Sequence, residues 1–214
     1  MDGYYEGSGY IVVRIDPAKH HIKTVYKNSD GEVIGDFKRL YQAYGNQVVF
    51  ACNAGMFMTD LRPLGLYVQD GHMITPLNTR SASTNFYIKP NGVFYVLYNG
   101  LAGICKTEDY RSSDVKYATQ SGPLLTIDGV INSKFNEQSE SYRTRNGVGI
   151  DTNGKVVFIL ATLPMNFYEF ASLFLLFDCP NSLFLDGDIS DFYCPEKGLN
   201  NKYGYMSPMI IVTK

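Results

Sequence analysis

Three carboxylates fall within six residues at the end of one mostly apolar run: Asp186, Asp188 and Asp191 in SLFLDGDISDFY, Ser182–Tyr193. A carboxylate at a strand end stands beside a cleft without a buried desolvation cost. There it can activate water or stabilise a developing positive centre. The bland alternative makes Asp186-Gly187 one more hairpin corner. Against that, the residues after Gly187 run DISDFYCPEKG, with no clean alternation and with Pro195 close by. Asp186 is therefore expected to end a strand and face a site. The three carboxylates are also candidate oxygen ligands for a divalent cation, Ca²⁺ or Mg²⁺. No other cofactor is implied.

Four further polar clusters sit at the ends of apolar runs. In VVFACNAGMF a strand ends at Asn53, and Gly55 permits close backbone approach; a plain strand-to-loop corner has the same look. In ATQSGPLLTIDG, Gln120 and Ser121 precede Gly122-Pro123, which interrupts an otherwise continuous strand. A bulge explains the break, and a bulge also re-aims donors toward a phosphate or a sugar hydroxyl. RTRNGVGID carries Arg143 and Arg145 ahead of a strand, and arginine suits bidentate capture of phosphate oxygens. Solvated surface arginines are the ordinary alternative. Glu169, three residues after Asn166, either caps a helix or faces the site from its first turn.

Whole classes of function are disfavoured. The formal net charge is -2 and no long basic run appears, so nucleic acid is not an expected partner. No apolar stretch reaches the roughly 20 residues of a membrane span. There is no HExxH, P-loop, GxSxG or dinucleotide fingerprint. The cysteines Cys52, Cys105, Cys179 and Cys194 lack metal-ligand spacing, and Cys179 and Cys194 are the candidates for a disulfide. The N-terminus, MDGYYEGSGY, has no basic and apolar leader pattern. The expectation is a protein that is not exported, or an exported one whose leader has been removed. Oligomeric state is not legible.

The elements that must position these residues are mostly strands. Asp30-Gly31, Asp70-Gly71, Asn91-Gly92, Asp128-Gly129 and Asn153-Gly154 lie beside strand-like runs. NFYIKPNGVFYVLY and GVGIDTNGKVVFILAT read as hairpins closed by Asn-Gly. Two segments read as helices, Gly35–Gly45 with Asp36 as cap and Asn166–Asp178. The expected fold is α+β: mainly antiparallel sheet with a few inserted helices, in a single domain over residues 1–214.

Taken together, NAGMF (Asn53–Phe57), GLYVQDG (Gly65–Gly71), QSGPLLTIDG (Gln120–Gly129), RNGVGID (Arg145–Asp151), the Glu169 helix start and LFLDGDIS (Leu183–Ser190) resemble a known set. It is that of the phosphodiester glycosidase family, which includes the mannose-6-phosphate uncovering enzyme. The match is to its bacterial-type subgroup. The uncovering enzyme carries LDGGGS at the last motif, whereas here Asp188 and Ile189 replace two of those glycines. The resemblance implies an N-acetylglucosamine-1-phosphodiester alpha-N-acetylglucosaminidase-like hydrolase, acting on a phosphorylated carbohydrate of a cell envelope or glycan. It implies Asp186, Glu169 and Arg145 as catalytic residues. Asn53, Gly55, Gln120, Ser121, Gly122, Asn146, Gly187 and Ser190 would line the substrate site. Two alternatives share the motifs: an idle phosphosugar-binding module of the same fold, and a phosphodiesterase that cuts P–O instead of C–O.

Overall fold

The structure, a computed structural model, describes residues 3–187, 191–200 and 207–214. Among these residues the strands form three antiparallel sheets. The first has seven strands in the order Gly3–Gly7, Tyr10–Ile15, Val156–Ala161, Asn146–Ile150, Asn181–Asp186, Leu124–Ile127, Val130–Ile131. The second runs Leu199–Asn200, Phe192–Cys194, Val48–Asn53, Met209–Thr213, His21–Val25. The third runs His72–Thr75, Tyr67–Gln69, Val115–Ser121, Gly92–Leu97, Ala102–Lys106. With two α-helices this is the expected mainly antiparallel α+β fold.

Continuous apolar runs mark strands buried on both faces. In VVFILA, Val156, Phe158 and Leu160 join the core shared by the three sheets, while Val157, Ile159 and Ala161 join the layer under a helix. Phe50 ties the first sheet to the second, its ring 4.8 Å from Phe158 and 4.9 Å from Phe192. Tyr67, Phe94 and Tyr117 bring the third sheet into the same core.

Helix α1 (Phe37–Tyr44) is capped by Asp36, whose Oδ1 accepts from the Arg39 N–H at 2.7 Å. It buries Phe37 and Leu40 on the outer face of the second sheet. Helix α2 (Phe167–Leu176) opens with a capping box: Asn166 Oδ1 accepts from Glu169 N–H, and Glu169 Oε2 accepts from Asn166 N–H. Its Phe170 and Phe174 lie on the first sheet over the glycines of NGVG. A Cβ on Gly147 would come 3.0 Å from the Phe174 ring, and one on Gly149 would come 2.7 Å from it. The NGVG spacing thus clears one strand face for a helix.

The Asx-Gly pairs close turns in two ways: at Asp30-Gly31 and Asn153-Gly154 only the glycine takes positive φ (82° and 76°), so the second hairpin forms without the type I′ turn that its Asn-Gly suggests. Asp70-Gly71 and Asp128-Gly129 take positive φ at both corners (50° and 77°; 49° and 80°), the requirement of a type I′ turn. Asn91-Gly92 is not a corner. Asn85–Tyr87 forms a 3-10 turn, and the buried Asn91 donates through Nδ2 to Phe86 O. Gly92 is already paired with Lys106 and Ser121, and the strand's actual turn is at Asn99-Gly100. Gly122-Pro123 is not a bulge either. The chain leaves the third sheet at Ser121 and enters the first at Leu124.

Gln120, expected at a ligand, is a structural clamp. Its Oε1 accepts from Leu66 N–H and Asn78 N–H, both at 2.9 Å. Its Nε2 donates to Asn78 O (2.7 Å) and Thr107 Oγ1 (3.2 Å). An amide side chain has two donors and two acceptor lone pairs, so no capacity remains for a substrate.

Two stability outcomes follow from this packing. Phe158→Ala should lower unfolding free energy by about 3–5 kcal/mol, the usual cost of emptying a core aromatic site. Gln120→Leu should cost about 2–5 kcal/mol, because it strands buried groups that each cost about 1–3 kcal/mol. Urea denaturation measures both, as a lower midpoint at unchanged slope. A Gln120→Leu protein of wild-type stability would refute the clamp.

Candidate active site

Three strand ends meet at one place. Asp186 ends the strand Asn181–Asp186 and lies in register with Asn146, which starts Asn146–Ile150. Asn53 ends Val48–Asn53 in the second sheet. Asn146 Nδ2 donates to Asn53 Oδ1 at 2.9 Å and to Asn53 O at 3.1 Å, joining the two sheets beside Asp186. Asn53 Oδ1 also accepts from the Asp191 N–H at 3.3 Å. Among the described residues, Asn53 Nδ2 and Asn146 Oδ1 are buried without a hydrogen-bond partner.

The register between these strands slips by one residue, so that Asn146 opposes Asp186 while Gly147 opposes Phe184. Such a bulge re-aims side chains at a sheet end. Leu183 and Leu185 point into the central core, while Phe184 and Asp186 line a cavity of about 490 Å³. Asp186 Oδ1 accepts from the Gly187 N–H at 2.6 Å, and Gly187 lies on the same wall. Ser121 Oγ donates to Leu185 O at 2.8 Å, holding the strand that carries Asp186 from the third sheet.

Arg145 forms another wall although its residue is only 1% exposed. Its Nε donates to Met165 O (2.7 Å), and an Nη donates to Ser141 O (2.9 Å). The guanidinium carbon lies 3.7 Å from the centre of the Phe167 ring. Arg143 bridges backbone to backbone with Met165, and its exposed side chain reaches the cavity rim. Two residues apart on extended chain, Arg143 and Arg145 share a face. Met56, Phe57, Met58 and Leu64 supply an apolar wall, and Thr84 and Asn85 a polar edge.

The expected site residues thus divide. Asp186, Arg145 and Gly187 line the cavity, and Asn53 and Asn146 lie immediately behind it. Gln120, Ser121, Gly55 and Gly122 are buried support. A Cβ on Gly55 would sit 2.2 Å from Gln120 O, and one on Gly122 would sit 2.6 Å from Phe86 O. Glu169 is exposed, is engaged in the capping box, and is not among the cavity's lining residues. Ser190 and Asp188 lie outside the described residues. Among the described residues no three His, Cys, Asp or Glu side chains form a metal-holding group. None of the four cysteines is in a disulfide: Cys179 packs under α2 and Cys194 in the central core, so the candidate pair is not joined. Burial pushes the Cys52 thiol far up and Cys179 to about 12, which leaves neither a ready nucleophile. The site residues that the resemblance implies do not include Arg143 or the Met56–Leu64 wall. The RTR alternation was the signal for the first.

This fold has counterparts among solved structures. The catalytic domain of zebrafish N-acetylglucosamine-1-phosphodiester alpha-N-acetylglucosaminidase, auto-inhibited by its pro-peptide, superposes with a TM-score of 0.67 at 17% identity. The match covers 96% of this chain and 76% of that one. A putative exported protein of Burkholderia pseudomallei K96243 gives 0.62 at 10% identity, over 96% and 74% of the two chains. These likenesses concern the fold. In sequence, the uncharacterised Escherichia coli K12 protein YigE is 36% identical over 183 residues, 84% of this chain and 72% of its own. The family model described as phosphodiester glycosidase matches residues 46–206, which include every strand end that builds the cavity. The chain belongs to the phosphodiester glycosidase family.

Proposed function

We propose that this protein hydrolyses the bond between the anomeric carbon of a sugar and the phosphate of a sugar-1-phosphodiester. The observation that supports it is one cavity holding a carboxylate, Asp186, and two guanidinium groups, Arg143 and Arg145. The departing phosphate monoester is already a good leaving group, so little protonation of the leaving oxygen is needed. The task left is to stabilise an oxocarbenium-like carbon and to activate water. In this reading the Asp186 carboxylate takes a proton from water as the water oxygen bonds to the anomeric carbon. The C–O bond breaks, and its electron pair leaves with the phosphate. Arg143 presents the planar fork that fits phosphate oxygens, and Arg145 supplies a fixed positive charge. The apolar wall at Met56, Phe57 and Leu64 suits an acetamido methyl. An N-acetylglucosaminyl phosphodiester, the chemistry that the zebrafish enzyme's name states, is therefore the first substrate to try.

In ¹⁸O water the label should appear in the released sugar. Label in the phosphate would mean P–O cleavage, and binding without turnover would mean a non-catalytic module. Asp186→Asn should keep the fold and substrate binding while turnover falls on the order of 10²–10⁴-fold, the range of general acid–base groups. Glu169→Gln should preserve the capping box, leaving the rate near wild type and stability within about 0.5 kcal/mol. Steady-state rates and thermal melts read these effects. An active Asp186→Asn enzyme would remove that residue from the mechanism, and an inactive but stable Glu169→Gln enzyme would restore Glu169 to it.

A further inference from the structure

Resting on the phosphodiester reading above, we propose that the cavity at Asp186 is one end of a track for an anionic glycan chain built of repeating sugar–phosphate units. Three cavities of about 490, 480 and 500 Å³ follow one another along residues 82–90, and the second and third also share residues 131–139. Thr84 and Asn85 edge the first, Ala82, Ser83, Tyr87 and Ile88 the second, and Lys89 and Pro90 the third. Opposite, residues 134–136 and Ser139 line the second and residues 131–133 the third.

The Phe167 ring is the seam between the first two. It carries the Arg145 guanidinium at 3.7 Å and the parallel Phe135 ring at 4.9 Å, 10° between planes. One ring face has room for only one of these groups, so they occupy opposite faces. Phe167, covered on both faces, shows the second cavity only its edge, and the half-buried rings left there are Tyr87 and Phe135, edged by serine and asparagine. Flat rings with polar neighbours suit the apolar face of a sugar.

Charge follows the same line. The three cavities hold five cationic side chains, Arg143, Arg145, Lys134, Lys89 and Lys106, against two carboxylates, Asp186 and Glu108. The whole chain carries a net -2, so this excess is local. Cations at both ends of the groove, with aromatic faces between, fit an alternation of phosphate and sugar. A single sugar phosphodiester would use only the first cavity.

The test compares two probes, methyl α-N-acetylglucosaminyl phosphate and a short oligomer of N-acetylglucosamine 1-phosphate. Wild type should show a roughly tenfold lower KM for the oligomer, a gain that fades as salt is raised. A Lys89→Gln/Lys106→Gln/Lys134→Gln variant should lose that gain and keep wild-type kcat/KM on the single unit. Equal KM for both probes in wild type, or a gain that survives in the variant, would overturn the track. Calorimetry with Asp186→Asn separates it from the chemistry. Lysine-dependent oligomer binding with no wild-type turnover of either probe would sink the hydrolase reading and keep the track. Polyphosphate bound as tightly as the oligomer would overturn the glycan assignment.

Discussion

Arg145 is a full positive charge held almost entirely out of water, and much of the site's construction follows from keeping it there. Moving such an ion inward costs several kcal/mol unless hydrogen bonds and a polarisable surface replace its hydration. Met165 O and Ser141 O supply the bonds, and the face of Phe167 supplies the surface. Each partner has its own requirement. Met165 is placed by its backbone bridge to Arg143, and Phe167 by the start of α2. The Asn166–Glu169 capping box that fixes that start is therefore part of the cavity's support.

The helix can approach the sheet because the strand beneath it has no side chains on the facing side. Gly147 and Gly149 give Phe170 and Phe174 their seat, and Val148 between them faces the central core. One short motif therefore does two jobs. Its first residue, Asn146, ties the first sheet to Asn53 in the second, and its glycines admit the helix that positions Arg145. This is a geometric reason for the motif NGVG, independent of any contact with a ligand.

Much of this was legible in the sequence, for a physical reason. Asp186 stood out because no return strand follows its glycine, and the capping spacing of Asn166 and Glu169 is local. Helix positions and type I′ corners are likewise encoded within a few residues. What was not legible depended on partners far along the chain. Gln120 looks like a ligand residue, and only the arrival of Leu66, Asn78 and Thr107 shows its four bonds spent inside. Asn91-Gly92 looks like a hairpin corner, and only the bond to Phe86 O and the pairing of Gly92 place it in a strand start. Arg143 looked like a surface cation, although period-two spacing from Arg145 already set the two on one face.

The loop that carries the apolar wall is fastened at both ends and, between them, through its backbone, where Asn78 Nδ2 donates to Leu64 O at 2.9 Å and Ser207 Oγ to Leu61 O at 3.4 Å. Gly55 N–H donates to Thr119 Oγ1 and packs against Gln120 O, while Leu66 N–H donates to Gln120 Oε1. Both anchors belong to the strand Val115–Ser121, and neither involves a side chain of residues 56–64. The strand that carries Asp186 is held separately, through Leu185 O and the Asn146 pairing. A lineage can thus exchange Met56, Phe57, Met58 or Leu64 for other shapes while the carboxylate stays where it is. On the proposed function, such a layout lets the preference for one sugar over another drift around a fixed carboxylate.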